Sequence, residues 1–583
     1  MKKVAMFALL VIAASLAALI LRNVEIDLDA IRDALTKLDD LRAASPLAMA
    51  AAFAIIYVAA TALSLPLGMW LTLAGGALFG FWQGLVIVSF ASTIGATLAF
   101  LAARLLLRDW VQARMGRHAE AIEAGIARDG AFYLFSIRLI PALPFFMVNL
   151  IMGLTAIRTA TFYWVSQLGM LPATAVYINA GTQLGSLEGP GSILSVPILI
   201  SLAALAVFPW LARALLNALR RRRAYRGWKR PRRVDRTLVV IGAGSAGLVA
   251  SYLAAAVRAR VTLVEAAEMG GDCLNTGCVP SKTLIRSAAL AHQMRHAGQW
   301  GLADTPPAVP FRAVMARVRA SIARIAPHDS VERYTSLGVE VLRGHARLVD
   351  PWTVEIAAAD GTQRLTSRAV IVATGAGPAV PRIPGLDLVD ALTSETLWTA
   401  LADQDEPPAR LMVLGGGPVG CELAQAFARL GSHVVLVEKA PRLLPREEAE
   451  ISARLAQTLQ AEGVELLTGY ELRAFGRDDR PWADIVQDGR SRRVPFDRVI
   501  MATGREARLA GFGLEDLGIA NGHKLPVNAF MQTQLPNIFA AGDVAGPLQF
   551  THVAAHQAGL ASLNALLGGL WRFRIDYRVI PYA

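Results

Sequence analysis

The sequence predicts a multi-span α-helical membrane domain followed by an α/β region that contains two similar strand–turn–helix units. Three observations lead to this prediction. The chain has 583 residues, of which 54% are hydrophobic and only 18% are charged, an apolar balance for so long a protein. Long apolar stretches are confined to its first part. The second part alternates short β-branched runs with glycine turns and alanine-rich helical patterns, as parallel sheets do.

The apolar part, residues 1–219, is expected to cross a cell membrane several times, with membrane lipids as its surroundings. Residues 4–21 follow Lys2 and Lys3 and suit a first transmembrane helix better than a signal peptide, because no small-residue cleavage site leads into a polar segment. The later apolar stretches lie near residues 46–107, 131–154, 161–184 and 193–219.

Glycine and proline interrupt these stretches at residues 65–68, 75–76 and 141–144. Non-helical backbone at membrane depth is tolerated only where protein or a water-filled cavity shields it. We interpret the interruptions as re-entrant or discontinuous helices. Continuous helices with kinks are the alternative that this pattern leaves open.

A strongly basic linker, residues 220–236, joins the two parts of the chain. It holds nine Lys or Arg residues between positions 220 and 233, which account for much of the net charge of +12. Basic residues beside an apolar stretch are typical of the cytoplasmic edge of a membrane span. We therefore expect the second part to be cytoplasmic, and we expect no nucleic-acid partner because the excess charge is concentrated here.

The first strand–turn–helix unit begins at residue 237 and carries a glycine-rich loop. Within that loop Gly242, Gly244, Ala246 and Gly247 separate a buried strand from a helix, and the next strand ends at Glu265. Small residues at these positions allow a tight turn and bring a dinucleotide pyrophosphate close to the helix N-terminus, where the acid would hold ribose hydroxyls. The loop therefore predicts dinucleotide binding, with a chance glycine turn as the alternative.

A second unit repeats this arrangement, and its second strand ends at Glu438. A carboxylate there accepts hydrogen bonds from free ribose hydroxyls and repels a 2′-phosphate, so NADH is favoured over NADPH. Lys439 and Arg442 lie close by in sequence and weaken that preference. The residues predicted to contact this second dinucleotide are Gly415, Gly417, Val419, Gly420 and Glu438.

Two of the three cysteines, Cys273 and Cys278, lie in the segment of residues 270–282. Three cysteines are too few for a disulfide framework and fit a reducing compartment in which a pair works as a redox couple. A buried structural pair is the alternative. A zinc site is disfavoured because no second cysteine pair exists, and Cys421 is expected only to be packed.

Segment 270–282 resembles the redox motif of the family of dihydrolipoamide dehydrogenase, glutathione reductase and mercuric reductase, and the resemblance extends over residues 237–583. It implies an α/β flavoprotein with two Rossmann-like domains, an FAD domain (237–393 and 525–583) and an NAD(P) domain (394–524). Cys278 would lie against the flavin, and Cys273 would exchange with the acceptor. Electrons would pass from NAD(P)H through FAD and the disulfide to an unknown acceptor, which is a disulfide, a quinone or a metal ion.

The same resemblance implies further site residues. Lys282 and Glu422 match a pair near the reactive part of the flavin, although Glu422 alone resembles an ordinary acid on a helix surface. Residues 373–375 and 502–504 match the turns that close the two nucleotide domains, and Asp543 matches the aspartate that binds the ribitol chain. The additional cofactor contacts are Gly271, Asp272, Lys282, Ala346, Thr374, Gly375, Gly504, Gly542, Asp543 and Thr551.

One departure from the family concerns the acid/base group. The family continues beyond the second flavin motif, which residues 537–543 match here, into a dimerisation domain with a His-Glu pair, whereas this sequence ends at Ala583. We therefore expect flavin reduction to persist while turnover of disulfide substrates is poor, and dimerisation is left open. His552 and His556 are the candidates to replace the base.

Residues 65–185 resemble the SNARE-associated, DedA-like (VTT-type) membrane proteins. The resemblance rests on the glycine-rich segment 75–80, on Arg104, and on the segment 138–145 with Asn149 and Gly153. It implies lipid scrambling or transport. Arg138 is a candidate site residue, with a snorkelling interfacial arginine as the alternative. A lipid or small-solute transporter with a regulatory or incomplete flavin domain is the alternative function.

Overall fold

The computed structural model describes residues 44–106, 130–139, 144–185, 196–520, 522–569 and 571–581. The chain separates into two compact units, Met1–Arg222 and Arg223–Ala583. The predicted first transmembrane helix at residues 4–21 lies outside the described residues, as do positions 141–143 of the third predicted interruption.

The first unit is helical. Its helices are α1 (Pro46–Ala62), α2 (Gly68–Leu106), α3 (Gly130–Leu139), α4 (Phe145–Gly153), α5 (Thr159–Gly185) and α6 (Val196–Ala224), the last of which continues past the boundary between the units. Within the described ranges, α2 is the one helix that is long and apolar enough, by length and composition, to cross a bilayer. The prediction of several spans is therefore supported for this helix only.

Close contact between α2 and α5 explains two glycines of the first unit, Gly76 and Gly181. A Cβ on Gly76 would lie 2.2 Å from the carbonyl oxygen of Ile178, and one on Gly181 would lie 2.1 Å from that of Leu73. Small residues at such positions let two helix backbones approach closely. Helix α2 continues through Gly76 and is interrupted at Gly80, where φ is 69° and ψ is −174°. The interruption predicted at residues 75–76 is therefore wrong, since the helix is continuous there and is interrupted only at Gly80.

The second unit begins with a sheet that has a parallel and an antiparallel part. Its first strands are β1 (Arg236–Ile241), β2 (Val261–Glu265), β3 (Val339–Arg343), β4 (His345–Leu348), β5 (Thr353–Ala358) and β6 (Gly361–Val372). The parallel part has the order β3-β2-β1-β6 and is extended by the strand Ile538–Ala540 beside β6. The first residues of β6 pair instead with β5, which pairs with β4, both antiparallel.

The helices that follow in this part of the chain are α7 (Ser245–Ala256), α8 (Gly271–Asn275), α9 (Cys278–Arg295), α10 (Phe311–Ile325) and α11 (Val331–Ser336). Helices α7 and α11 pack in the core of this sheet, whereas α9 and α10 pack in the core of the second sheet. Strand β1 is buried on both faces from Leu238 to Ile241, which explains its uninterrupted apolar run. As predicted, Glu265 is the last residue of β2.

A second sheet and two smaller ones follow. Their strands are β7 (Ala376–Pro378), β8 (Ala391–Leu392), β9 (Arg410–Leu414), β10 (His433–Glu438), β11 (Glu465–Thr468), β12 (Glu471–Arg477), β13 (Pro481–Gln487), β14 (Arg490–Pro495), β15 (Arg498–Met501) and β16 (Arg505–Ala507), and the C-terminal strand beside β6 is β17 (Ile538–Ala540). The second sheet is parallel with the order β11-β10-β9-β15-β8. Strands β12, β13 and β14 form an antiparallel sheet, and β16 pairs with β7. The remaining helices are α12 (Leu397–Ala400), α13 (Pro418–Leu430), α14 (Ala449–Ala461) and α15 (Thr551–Leu567).

The two sheets divide the chain at positions that differ from the predicted boundaries. Strand β8 ends at Leu392 and pairs with β15, so the second sheet begins before residue 394. Leu509, Leu514 and Ile519 pack in the core of the first sheet, so the second sheet's core ends before residue 524. The chain passes between the two cores at the β7–β16 pair, which belongs to neither large sheet.

Candidate functional site

The first glycine loop connects β1 to α7 and tolerates no side chain at two positions. Gly242 has φ of 101°, and a Cβ there would lie 2.4 Å from the carbonyl oxygen of Ala373. A Cβ on Gly247 would lie 1.7 Å from the carbonyl oxygen of Gly242. The loop therefore turns tightly enough to leave the N-terminus of α7, next to Ala246, available to a phosphate group.

The start of α8 closes against this loop. Gly271 has φ of 58°, and a Cβ on it would lie 2.6 Å from the Cα of Gly244. Gly244, at the N-cap of α7, has open space, because the nearest atom to a Cβ there is 3.9 Å away. Two glycines that face each other without side chains fit a pyrophosphate that lies against backbone amides. The residues present thus fit the dinucleotide that the sequence predicts.

Glu265 supports the same loop from the end of β2. Its carboxylate accepts hydrogen bonds from the backbone N–H of Ala243 at 2.5 Å and of Ala267 at 2.7 Å. The carboxylate is thereby placed beside the glycine loop, where an acid that holds ribose hydroxyls is expected.

The second glycine loop, between β9 and α13, is built in the same way. A Cβ on Gly420 would lie 1.9 Å from the carbonyl oxygen of Gly415, whose φ is 111°. Glu438 accepts hydrogen bonds from the backbone N–H of Gly416 at 2.5 Å and of Ala440 at 2.6 Å. The duplication inferred from sequence therefore extends to the hydrogen bonds of the two acids. Gly417 has open space around it, and Val419 is 47% exposed.

The strand-end turns lie against the glycine loops. Thr374 donates a hydrogen bond to the carbonyl oxygen of Arg508 at 2.7 Å, and Gly375 and Gly504 have φ of 69° and 119°. Ala346 is buried in β4, where it pairs with Ile356. Its side chain is therefore part of the core of the first sheet.

The two cysteines of the redox segment lie close enough to share a hydrogen bond, and both are free thiols. The hydrogen bond from Cys273 lowers the pKa of Cys278 to about 6, and the charge of Lys282 acts in the same direction. The same hydrogen bond raises the pKa of Cys273, and burial adds to that effect. Cys278 is exposed and Cys273 is half-buried. The pair therefore consists of a thiolate and a thiol at neutral pH.

Residues distant in sequence surround the pair. The Lys282 ammonium contacts both carboxylate oxygens of Glu422, at 2.6 and 2.5 Å. The Oγ1 of Thr551, the first residue of α15, lies 3.5 Å from the Cys278 sulfur. These contacts bring together Lys282, Glu422, Thr551 and the cysteines, as the sequence predicted for one site.

Two arginines that the sequence reasoning missed connect the predicted acids. Arg505 pairs with Asp272, and its Nε lies 3.5 Å from Oδ2 of Asp543. Arg508 pairs with Glu395 and lies 3.6 Å from Asp272. Burial raises the pKa of Asp543, and the charge of Arg505 opposes that shift. The sequence feature that could have indicated Arg505 as a site residue is its position directly after Gly504, a predicted cofactor contact.

A buried glutamine was also missed. The Gln557 side chain is fully buried and accepts a hydrogen bond from the Gly542 N–H at 2.7 Å. Its Nε2 donates to the Gly546 carbonyl oxygen and to the Tyr577 hydroxyl, both at 2.9 Å. Gln557 thus holds the second flavin motif in shape.

The predicted substitutes for the acid/base histidine lie on α15. The ring of His552 stacks on Phe550 with 5.4 Å between centroids, and His556 is exposed. Over the described ranges neither histidine is hydrogen-bonded to a cysteine, and no group of three or more His, Cys, Asp or Glu could hold a metal ion.

In the first unit, Arg138 is buried. Its guanidinium donates hydrogen bonds to Asn149 Oδ1 at 2.5 Å and to Ser166 Oγ at 3.1 Å, and the rings of Phe145 and Phe162 lie 5.2 Å away. Only 6% of this residue is exposed, so a snorkelling interfacial arginine does not describe it.

Comparison with known proteins identifies both parts of the chain. Residues 65–183 match the VTT domain. The mercuric reductase of Streptomyces lividans is 37% identical over 354 residues, which cover 59% of this chain and 72% of that protein. The dihydrolipoyl dehydrogenase of Zymomonas mobilis subsp. mobilis is 33% identical over 338 residues, which cover 57% and 71%. Both resemblances drawn from the sequence are thereby confirmed.

The matched region covers only part of the length of each of these relatives. The chain spans 62% of the mercuric reductase of Staphylococcus aureus, with 33% identity over 350 residues. Among solved structures, the HOCl-induced flavoprotein disulfide reductase RclA from Escherichia coli is 26% identical, with a TM-score of 0.50 over 58% of this chain and 72% of that one. Residues 236–558, more than half of the sequence, match the family described as pyridine nucleotide-disulphide oxidoreductase, and the chain therefore belongs to this family.

Proposed function

We propose that this protein is a membrane-anchored FAD-dependent oxidoreductase that passes electrons from NADH through Cys273 and Cys278 to an acceptor. The observation that carries the proposal is the difference between the two cysteines. Cys278 has a pKa of about 6, whereas the hydrogen-bonded Cys273 remains protonated. A thiolate beside a half-exposed thiol suits a dithiol that gives up two electrons and forms a disulfide.

The fit of the two glycine loops supports FAD at the first and a nicotinamide dinucleotide at the second. Gly242, Gly244, Gly247 and Asp543 would hold FAD, and Gly415, Gly417 and Gly420 would hold the nicotinamide dinucleotide. FAD, when bound, supplies two-electron chemistry between a nicotinamide and a disulfide.

Residues around the cysteines influence which of them is a thiolate, the form needed for thiol–disulfide exchange. The positive charge of Lys282, which Glu422 holds at 2.5 Å, stabilises the Cys278 thiolate. Thr551 lies 3.5 Å from the same sulfur and can donate a hydrogen bond to it. The family resemblance assigns Cys273 to the acceptor, and this cysteine, which is the protonated one of the pair, must lose its proton before it can attack.

Glu438 favours NADH over NADPH. Its carboxylate lies beside the second glycine loop, where a 2′-phosphate would be repelled. Lys439, which could offset that repulsion, pairs with Glu471 at 2.6 Å.

The acceptor is a disulfide, a quinone or a thiophilic metal ion. Relatives named mercuric reductase support a soft metal ion, because thiolates prefer such ions, and a solved Cu(II) complex of the reductase RclA also supports a metal ion as acceptor. The dihydrolipoyl dehydrogenases among the relatives support a dithiol–disulfide couple instead. All three acceptor classes would receive electrons from Cys273.

The VTT domain match and the apolar surface of α2 support anchorage by several membrane spans. Trp70, Trp82 and Val86 of this helix are 64%, 77% and 57% exposed, which suits contact with lipid. The nine basic residues between positions 220 and 233 favour a cytoplasmic oxidoreductase unit.

Transport of a lipid or small solute is the second candidate function. It is favoured by Arg138, a buried cation that donates hydrogen bonds to the neutral side chains of Asn149 and Ser166. Movement of a fluorescent phospholipid between the leaflets of vesicles that contain the protein would test it, with Arg138→Gln as the variant. Equal rates with and without protein would exclude lipid movement.

Stopped-flow reduction of the FAD-loaded protein by NADH tests the oxidoreductase proposal. Untreated protein should take up one electron pair more than protein whose cysteines were first reduced and alkylated, because the disulfide is then unavailable. Equal uptake by the two samples would show that the cysteines do not receive electrons.

A further inference from the structure

The edge of the first sheet at which its parallel strands begin lies opposite the redox site and has no role in the mechanism above. We call it the basal edge, and it is formed by the beginnings of β1 and β2 and the ends of α7 and α15. Helix α15 connects it to the redox site. Its first residue, Thr551, lies 3.5 Å from the Cys278 sulfur, whereas the Leu566 carbonyl oxygen in its last turn accepts a hydrogen bond from Arg368 at 2.6 Å. Arg368 lies on β6 beside the beginning of β1.

The two helices that end at the basal edge each present an exposed apolar side chain next to an exposed arginine. At the end of α7, Val257 is followed by Arg258, and a short turn then leads into β2. Beyond the end of α15, Trp571 is 72% exposed and is followed by Arg572. Because α7 and α15 pack against each other and both run from the redox site to the basal edge, these residues belong to one face of the second unit.

Trp571 is exposed although the segment around it is anchored to the fold. Buried Asn564 accepts a hydrogen bond from the Phe573 N–H and donates one to the Phe573 carbonyl oxygen, both at 2.8 Å. The Trp571 N–H itself donates to the Leu567 carbonyl oxygen at 3.0 Å. An anchored tryptophan that is exposed beside an arginine suits a membrane interface, where the indole ring lies at the level of the lipid headgroups.

The basic linker, residues 220–236, joins the fold at the same edge. The Tyr225 hydroxyl donates a hydrogen bond to Asn537 Oδ1 at 2.8 Å, and its ring lies 4.7 Å from that of Trp352. Asn537 directly precedes β17, which runs parallel to β6, so Tyr225 contacts the beginning of a parallel strand. The exposed basic residues between this contact and β1 are Arg226, Lys229, Arg230, Arg232 and Arg233.

Acidic side chains beside the beginning of β1 are engaged within the fold. Glu340 pairs with Arg236 at 2.7 Å, and Asp235 accepts hydrogen bonds from the N–H and the hydroxyl of Thr366 at 2.9 and 2.7 Å. The exposed lysine and arginines of the linker and of the two helix ends therefore give the basal edge a positive charge. Such a surface attracts anionic lipids, and guanidinium groups donate hydrogen bonds to their phosphates.

We propose that the basal edge lies against the anionic phospholipid headgroups of the membrane that anchors the chain. The inference rests on the proposed function, because it takes membrane anchorage as given and adds the face of the second unit that contacts lipid. The cysteines are then separated from the lipid by α15, whose 17 residues span about 25 Å. They face water, which favours a soluble acceptor over a quinone held in the bilayer.

The test is hydroxyl-radical footprinting of the full chain in lipid nanodiscs, with the oxidation of each tryptophan measured by peptide mass spectrometry. Trp571 should be oxidised about 5-fold more slowly in nanodiscs that contain phosphatidylglycerol than in nanodiscs of phosphatidylcholine alone. Salt at about 1 M, where the Debye length is about 3 Å, should remove the difference. Trp300, which is 78% exposed beyond α9, is the internal control and should be oxidised equally in both.

Charge removal at the two helix ends tests the electrostatic part of the proposal. Arg258→Gln combined with Arg572→Gln should restore the oxidation of Trp571 in the anionic nanodiscs, because each basic residue contributes about a 5-fold factor to lipid attraction. Arg490→Gln combined with Arg492→Gln is the matched control, since it removes two exposed charges from β14 and should leave the footprint unchanged.

Equal oxidation of Trp571 in the two kinds of nanodisc would overturn the proposal. Equal protection of Trp300 and Trp571 would also overturn it, because the lipid would then not select the basal edge. A chain that does not insert into nanodiscs at all would instead contradict the anchorage in the proposed function, since insertion precedes the contact under test.

Discussion

Cys273 and Cys278 belong to one segment, but they differ in protonation because each affects the other. The hydrogen bond between them stabilises the thiolate at Cys278 and the thiol at Cys273. Lys282 adds a positive charge near Cys278 only. Chemical modification can therefore distinguish the two cysteines before any cofactor is involved.

We predict that iodoacetamide alkylates Cys278 first in the reduced protein. The rate should rise with pH around a midpoint of about 6, because only the thiolate reacts. Replacing Cys273 with Ala removes the hydrogen bond and should move that midpoint upward. Mass spectrometry of peptides assigns the label, and buried Cys421, whose pKa burial raises to about 12, should stay unlabelled. Equal reactivity of Cys273 and Cys278 would contradict this prediction.

A second residue-scale prediction concerns Asp543, whose pKa burial raises. An acid with a folded-state pKa above its unfolded value opposes folding once the pH exceeds that raised value, and the effect vanishes below the unfolded pKa of about 4. Asp543→Asn should therefore stabilise the protein without FAD at pH 7, and the gain should disappear as the pH falls to about 4.

Denaturant unfolding at the two pH values measures this gain, and Asp516→Asn, an exposed acid paired with Arg347, is the control. Asp543→Asn should also retain FAD less well, because a hydrogen-bond acceptor for the ribitol is lost. A lower unfolding midpoint at pH 7 would refute the first expectation.

Some site residues could not be predicted individually. The spacing of the cysteines and glycines indicated the chemistry directly, because those residue types have few other uses in such a pattern. Arg505 resembled a surface arginine after a turn, since its partner Asp272 is 233 positions away in sequence. Gln557 lies in an apolar helix with no local signal, and only the fold brings the Gly542 N–H to its side chain.

At the scale of elements, the two strand–glycine loop–helix units agree with prediction because buried parallel strands and tight loops both require particular residue types. Strand β8 escaped prediction because two residues are too few to show a pattern. The predicted range 394–524 includes Leu509 and Leu514, which pack in the core of the first sheet, because periodicity indicates burial but not which sheet a residue covers.

The first glycine loop yields an element-scale prediction. Gly247→Ala should destabilise the second unit by about 3 kcal/mol, because the added methyl would overlap the Gly242 carbonyl oxygen. Gly244→Ala is the matched variant, since its methyl has 3.9 Å of clearance. It should fold normally but bind FAD more weakly, because the methyl occupies the space that faces the pyrophosphate. Unfolding midpoints and FAD titration separate the effects, and an unchanged midpoint for Gly247→Ala would argue against the tight turn.

At the scale of the whole molecule, the division at Arg222 and Arg223 lies inside the basic segment, close to the boundary drawn from composition alone. Composition could predict this boundary because the apolar stretch is followed there, without transition, by a run of basic residues. The number of membrane crossings could not be predicted in the same way, because helix α5 contains Pro172 and several polar residues that blur its hydropathy.

The basic segment leads to a topology prediction. In sealed bacterial spheroplasts, external protease should leave the second unit intact, because nine Lys or Arg residues at positions 220–233 resist translocation. Immunoblotting for this unit provides the measurement, and lysis before protease is the control that should permit cleavage. Digestion in intact spheroplasts would place the unit on the opposite side.

The strand β17 pairs with β6 although 165 residues lie between Val372, the last residue of β6, and Ile538, the first of β17. A ribosome makes β1, β2, β3 and β6 first, then the whole second sheet, and only afterwards the strand that covers the free edge of β6. An uncovered parallel edge can pair with other chains. During synthesis the first sheet therefore passes through a period in which its edge is exposed, and a chain that stopped before residue 538 would keep that edge open permanently.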